Sequence, residues 1–377
     1  MQLLSDIDVS GKRIFLRADL DVPLKDGGLR IKDEVGASVQ ATRLVNLKPT
    51  VEYLLSHGAK QVVIAGHVDR PKGFDPVLST KNLLKDLEKI LSRSVTFRAD
   101  FGSGDSSLAS MAQLLLFENL RFWPGETSND LEFAKRLAKL ADVYVNEAFG
   151  NCHREHASMV ALPSLLPHAA GLHLEEEVKA LSGLLTAPKR PFVAVVGGAK
   201  IETKEPLIEH LAKIADYVLV GGEIAKELTV DPSTSLRASG SQFTDNSKVM
   251  VATLTADGKD ISNESIHQFQ EVIANAKTIV WNGPMGVFEE GFEAGTVAVA
   301  EAILASGSYK EASGESSLRS SSDGHRTAGL SVVGGGETTQ FLASKGLLSR
   351  FSFVSSGGGA MLEFLSGKVL PGLKALD

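Results

Sequence analysis

Residues 331–341, SVVGGGETTQF, decide the fold. Residues suited to a buried strand run into three glycines, an acid and two threonines, and helix-like sequence then resumes. β-Branched residues fit extended, packed backbone. Glycine is needed where the chain turns tightly or where another group must approach the main chain. The same order recurs at FVAVVGGAK (192–200), YVLVGGE (217–223) and FVSSGGGAM (353–361). Strand, glycine turn and helix start form the repeating unit of an open parallel sheet, whose ligands sit at the carboxyl ends of the strands. There the turn brings backbone close to a phosphate, and the helix start offers unpaired N–H groups and the positive end of its dipole. A single Gly-Gly turn is explained by geometry alone, but four in one half of a chain point to a nucleotide. Neither GxxxxGK[ST] nor GxGxxG after the first strand is present, which argues against a P-loop ATPase and an ordinary dinucleotide fold.

Working outward, GGAKIETK (197–204) places Lys200 and Lys204 in or just after the first glycine turn, where cations meet phosphates. Taken alone, Lys204 reads as a solvated helix-face lysine. Glu337 follows three glycines at a helix start, where an acid either caps the helix or helps hold Mg²⁺ beside phosphate oxygens.

Apolar runs alternate with amphipathic stretches along nearly the whole chain. RIFLRADL (13–20), QVVIAGH (61–67), LLLFENL (114–120) and VYVNEAF (143–149) read as buried strands in the first half. FVAVV, YVLV, TIVW, SVV and FSFV follow in the second. Helical spacing joins Leu83, Leu84, Leu87, Ile90 and Leu91, and also Leu131, Ala134, Leu137, Ala138 and Ala141. It recurs at Ile208, Leu211, Ala212 and Ala215, and at Ile266, Phe269 and Ile273. Such alternation predicts α/β architecture with helix-covered parallel sheets. A length of 377 residues exceeds what one core usually serves, so two domains are expected. The break falls in residues 161–191, where prolines bracket an amphipathic helix. The serine- and glycine-rich segment 306–329 cannot supply a core and reads as an inserted loop.

With 43% hydrophobic and 23% charged residues, the composition is that of a soluble globular protein. A net charge of −7 gives no reason to expect nucleic acid. The single cysteine, Cys152, excludes an intrachain disulfide and fits a reducing compartment. No signal peptide or membrane span is evident, and a cytoplasmic enzyme is expected.

The first half carries another chemistry. Arg17, Arg43, Arg70, Arg121 and Arg154 fall at or near strand ends, with His67, His153 and His156. Loops at strand ends converge, so these groups can form one basic pocket, and the guanidinium fork suits carboxylate and phosphate. Scattered surface salt bridges are the plainer reading of any one of them. NCHREHAS (151–158) lacks a fourth ligand at a usual spacing, so zinc is not expected.

Eight segments together resemble phosphoglycerate kinases in order and across nearly the whole chain. They are RADLDVPLKDG (17–27), AGHVDRPKG (65–73), ENLRFWPGE (118–126), NEAFGNCHREHAS (146–158), VVGGAKIETK (195–204), TIVWNGPMGVFE (278–289), VVGGGETT (332–339) and VSSGGGAMLEFLSGKVLPG (354–372). The resemblance implies two Rossmann-like three-layer domains, 1–170 for the phosphoglycerate and 191–366 for the nucleotide. A hinge helix and linker over 171–190 joins them, and a tail, 367–377, returns to the first domain. It implies reversible phosphoryl transfer between 1,3-bisphosphoglycerate and ADP, giving 3-phosphoglycerate and MgATP, by a monomer that binds neither nucleic acid nor membrane. By resemblance, Asp19, Asp21, Arg43, His67, Arg70, Arg121 and Arg154 are substrate-binding positions. Arg43 and Lys200 would act on the phosphoryl group in flight. Lys200, Lys204, Gly222, Asn282, Glu289, Gly334, Gly335, Gly336, Glu337, Thr338, Gly357, Gly358 and Gly359 would take the nucleotide, Glu289 through the ribose, with Glu337 on Mg²⁺.

Departures from the family pattern leave other outcomes open. DLDVP puts Asp21 where an asparagine is usual, GHVDRP adds Asp69, GGGET lengthens the metal-side acid, and GGEIA sets Glu223 where a glycine lines the adenine site. The segment between Glu223 and TIVWNGP is short, with no evident strand for the adenine pocket, and residues 28–44 form a long approach to Arg43. The alternatives are a same-fold kinase for another small carboxylic acid, and a nucleotide-binding relative without turnover.

Overall fold

Residues 1–25, 28–29, 39–101, 112–230, 248–307 and 329–377 are described by the structure, a computed structural model. The chain divides into two compact units, Met1–Lys179 with Val369–Asp377, and Ala180–Lys368. Residues 308–328 of the serine-rich insert and 30–38 of the approach to Arg43 lie outside the described residues.

The first unit is built on β1 (Arg13–Arg17), β4 (Gln61–Ala65), β5 (Thr96–Arg98), β6 (Leu114–Phe117), β7 (Val143–Asn146) and β8 (His168–Ala170), with β2 (Leu24–Lys25) and β3 (Gly28–Leu29) as a separate antiparallel pair. All six main strands run parallel in the order β5-β6-β4-β1-β7-β8. Every residue of β4, β6 and β7 is buried, as expected of strands covered by helices on both faces. Leu16, Ile64, Leu116 and Val145 share one core with Leu47, Val51 and Leu54 of the Leu47–Ser56 helix. The carboxyl ends of β1, β4, β6 and β7 lead directly to Asp19, His67, Glu118 and Glu147. The C-terminal segment joins this unit: Gln2 N donates to Leu376 O at 2.9 Å and Gly372 N to Cys152 O at 2.8 Å.

In the second unit β9 (Phe192–Val196), β10 (Tyr217–Val220), β11 (Val249–Val251), β12 (Thr278–Asn282), β13 (Leu330–Gly334) and β14 (Phe353–Val354) form a parallel sheet ordered β11-β10-β9-β12-β13-β14. The chain builds outward from β9 in one direction, then restarts at β12 and builds in the other. Strand order therefore reverses between β9 and β12, and ligands of doubly wound sheets bind at such a point. Strand β11, beside β10, supplies an edge that no apolar run announces.

Between β8 and β9 a helix spans Leu172–Thr186, and residues 187–191, with Pro188 and Pro191, link it to β9. The division between the units falls inside it. Among the described residues no helix is long and apolar enough to cross a membrane.

Candidate active site

At the strand ends of the first unit, Arg17 is the last residue of β1 and is fully buried. It does not line an open pocket as the sequence suggested. Its Nε donates to Ser158 Oγ at 2.7 Å and its Nη1 to Ala18 O at 2.6 Å, while Nη2 lies 3.1 Å from His67 Nδ1. A guanidinium only donates, so His67 Nδ1 accepts and the ring proton sits on Nε2. Burial, with the charges of Arg17 and Arg121, pushes His67 down to about 3, so the ring is neutral at pH 7. Its Nε2–H faces Asp21 Oδ2 at 3.6 Å.

Asp21 also accepts from Asp69 N at 2.8 Å. Burial would raise its carboxyl, but His67, the Asp69 N–H and Arg43 outweigh it and hold the group well below the usual carboxylate range. Asp69 has a left-handed φ of 54° and accepts from Arg70 N at 2.8 Å. Both carboxylates that depart from the family pattern therefore hold the turn that carries Arg70. Arg43 Nη1 donates to Asp21 O at 2.8 Å and lies 3.5 Å from Asp19 Oδ1. Arg121 donates through Nη1 to Asp69 O.

Among the buried polar atoms of the described residues that have no hydrogen-bond partner are Asp19 Oδ2, Arg121 Nε and Arg154 Nε. Burial and then the neighbouring Arg154 push Arg121 down to about 10, and burial and then Arg70 lower Arg154. Guanidinium groups that depress one another are short of negative charge. An anion here relieves both repulsion and unpaired donors, and the Asp19 oxygen is placed to accept from a hydroxyl. The structure thus brings together Asp19, Asp21, Arg43, His67, Arg121 and Arg154. Arg70 is exposed and joins them through its charge on Arg154.

In the second unit, three helices open at strand ends without a side-chain cap: Ile201–Ile214 behind Lys200, Gly336–Ser344 behind Gly335, and Gly358–Leu365 behind Gly357. The glycines divide into two kinds. A Cβ on Gly283 would lie 2.0 Å from Gly197 O, one on Gly222 2.6 Å from Gly198 N, and one on Gly334 2.2 Å from Met361 Sδ. These glycines are required by turn-on-turn packing, not by a ligand. The N–H groups of Gly197, Gly198, Gly221 and Gly222 are moreover spent on Asn282 O, Pro284 O, Val196 O and Met285 O. The expectation that every glycine turn cradles phosphate is therefore corrected for 197–198 and 221–222, and Gly334 is a packing position. Gly336 has open space where a side chain would stand, and a Cβ on Gly358 would come only within 3.9 Å of Gly335 and Gly336. The turns after β13 and β14 adjoin, with Gly359 in the first turn of the second helix, and they are the ones free to meet phosphate.

Lys204 overturns its reading as a solvated lysine. It is buried with Leu207, Ile208 and Leu211 on one helix face, and its Nζ donates to Asn282 Oδ1. Burial lowers it to about 8, opposed by the charge of Glu337. Lys200, at the N-cap, is exposed. Thr338 Oγ1 accepts from Gly283 N at 2.8 Å and ties the helix start to the β12 turn. A cleft with about 430 Å³ of open space, part of it bulk solvent, is lined by Gly198, Gly222, Glu223, Lys259, Glu289 and Glu337 among others. Lys259 had no signal in the sequence, because β11, the strand it follows, had none either. Among the described residues no three His, Cys, Asp or Glu side chains converge on a metal position. One carboxylate, Glu337, beside phosphate oxygens is the kind of donor set Mg²⁺ accepts.

An anion-binding cluster of arginines on one doubly wound unit and uncapped helix starts beside lysines on another define a two-unit α/β phosphotransferase. The family model for phosphoglycerate kinase matches residues 4–252 and 228–368, and the chain belongs to that family. It is 36% identical over 413 residues to a phosphoglycerate kinase of Solibacter usitatus, covering 99% of this chain and 98% of that protein. It is 38% identical over 418 residues to the cytosolic phosphoglycerate kinase 3 of Arabidopsis thaliana, covering 99% and 97%. The phosphoglycerate kinase structure from Coxiella burnetii superposes with a TM-score of 0.79 at 31% identity, covering 99% of this chain and 98% of that one.

Proposed function

We propose that this chain transfers a phosphoryl group reversibly between 1,3-bisphosphoglycerate and a purine nucleoside diphosphate, ADP in the family's reaction. The observation that carries this reading is the set of buried, unpaired atoms Arg121 Nε, Arg154 Nε and Asp19 Oδ2 at one site. Two guanidinium donors for phosphate and carboxylate, with an acceptor for a hydroxyl, match a phosphorylated hydroxy acid. The oxygens of Asp21 are already engaged by Asp69 N and approached by His67, so this carboxylate does not call for a different acid.

Phosphoryl transfer needs alignment and cations more than covalent help. Arg121 and Arg154 hold the acid, Asp19 orients it, and Arg43 and Lys200 neutralise the oxygens of the group in transit. Lys204 and the N–H groups opening at Gly336 and Gly358 hold the nucleotide's phosphates, and Glu289 takes the ribose. Glu337 would hold Mg²⁺, which when bound screens the phosphate charge. The Leu172–Thr186 helix acts as the hinge of a closure that excludes water. The attacking oxygen is an anion in either direction, so no residue needs to act as general base. The protein works as a monomer in the cytoplasm, in keeping with the relative named cytosolic.

A coupled assay with 3-phosphoglycerate, magnesium nucleotide and a downstream dehydrogenase tests this. Turnover is expected in the wild type and not in Lys200→Ala. Wild-type protein that binds nucleotide without 3-phosphoglycerate-dependent turnover would refute the reading.

A further inference from the structure

The sheet order fixes which way a nucleotide lies. The phosphate-facing turns follow β13 and β14, whereas Glu223 opens the helix after β10 and Lys259 follows β11. From β13 to β10 is three strand steps, through β12 and β9. At the usual spacing that is about 14 Å, the span from a terminal phosphate to a purine ring. With phosphates at Gly336 and Gly358, the base falls at the β10–β11 end, among Glu223 and Lys259 in the cleft.

We infer that Glu223 and Lys259 make this base site selective for guanine over adenine. The inference rests on the proposed nucleotide site. A carboxylate only accepts hydrogen bonds and an ammonium only donates them. Guanine offers two adjacent donors, N1–H and the 2-amino group, to both oxygens of one carboxylate, and its O6 accepts from a cation. Adenine sets one donor, the 6-amino group, beside an N1 lone pair that a carboxylate repels, and in the same orientation it turns that amino donor, in place of the O6 acceptor, toward the lysine. Favourable interaction with the helix dipole accounts for an acid at the start of the Glu223–Val230 helix. It does not account for that acid sharing a cleft with a lysine of opposite charge. Lys259 Nζ bonds Glu290 Oε2 at 2.6 Å and stands 4.9 Å from the centre of the Phe292 ring. The pair is exposed and weak, and an ammonium has two further protons for O6.

Calorimetric titration of the full chain with magnesium complexes of GDP, IDP and ADP separates the outcomes. IDP is GDP without the 2-amino group. The wild type is expected to bind GDP on the order of tenfold more tightly than IDP or ADP. Glu223→Gly is expected to erase the GDP–IDP difference, and Lys259→Met to narrow the GDP–ADP gap with Glu223 in place. Wild-type binding of ADP as tight as that of GDP, or a GDP–IDP difference that survives Glu223→Gly, overturns the selectivity but leaves the nucleotide site standing. Failure of all three nucleotides to bind overturns both.

Discussion

Lys204 shows what one side chain's surroundings do to its chemistry. Burial brings it down to about 8, so it loses its proton as pH rises through that value, and its hold on phosphate goes with the charge. Nucleotide affinity is therefore expected to fall between about pH 7 and pH 9.5, as the ordinary lysine value near 10.4 would not allow. In Lys204→Arg, whose guanidinium stays charged, that slope should vanish; an unchanged slope in calorimetry would place the titration elsewhere. On the other unit, Arg154→Ala removes a buried unpaired donor. It should weaken 3-phosphoglycerate binding about tenfold to a hundredfold and leave nucleotide affinity unchanged. Equal loss at both ligands would point to general unfolding. The arginines were legible as a group because strand-end positions converge. Arg17 was misread because nothing in RIFLRADL distinguishes an arginine that faces a ligand from one that braces a histidine. The burial of Lys204 was in principle readable, since it precedes Leu207, Ile208 and Leu211 at helical spacing.

Between elements, the start of the Leu172–Thr186 helix is held by Glu147. Its Oε1 accepts from Thr50 Oγ1 at 2.6 Å and from His173 N at 3.1 Å, while Oε2 is buried without a partner. Burial pushes this carboxyl up to about 7. A carboxyl raised on folding contributes stability below its unfolded value near 4.3, and that stability is lost as pH rises through 7. Glu147→Gln mimics the protonated form. Thermal unfolding should show it more stable than wild type at pH 8.5, by about 4 kcal/mol at most, with the advantage gone at pH 3.5. An advantage that persisted undiminished at pH 3.5 would show that the titration of Glu147 is not its source. Thr338→Val should cost about 1–3 kcal/mol by stranding the buried Gly283 N–H, and Thr338→Ser should recover it; equal melting of both variants would show that the bond to Gly283 contributes nothing. Strand-then-glycine patterns located the turns, but not which turns abut. That depends on β12 inserting beside β9, a pairing of elements distant in sequence. Gly197, Gly222 and Gly283 are consequently packing glycines, whereas Gly336 and Gly358 face open space. The three-residue strands β5, β8 and β11 were missed because so short an edge needs no apolar run.

Across the whole chain, the order of eight motifs made the family legible. Composition and periodicity alone reached only two parallel α/β units, one cationic at its strand ends and the other rich in glycine turns. At the β10–β11 end the motif match already set Glu223 at the base site, but Lys259 lay beyond reach, because its segment departs from the family pattern and the cleft they share is a product of sheet order. The substance of the functional reading is that guanidinium groups of one unit and phosphate-binding groups of the other serve a single transfer with no protein-bound intermediate. The sharpest measurement is to incubate the protein with 3-phosphoglycerate and nucleotide carrying a radioactive terminal phosphate, to locate the label after quenching without hydroxylamine, and to detect acyl phosphate as the hydroxamate in a parallel sample. The label should leave the nucleotide only when the acid is present and should never remain on the protein, and Arg154→Ala and Lys200→Ala should each stop the transfer. Label bound covalently to the chain, or inorganic phosphate released without the acid, would contradict that reading.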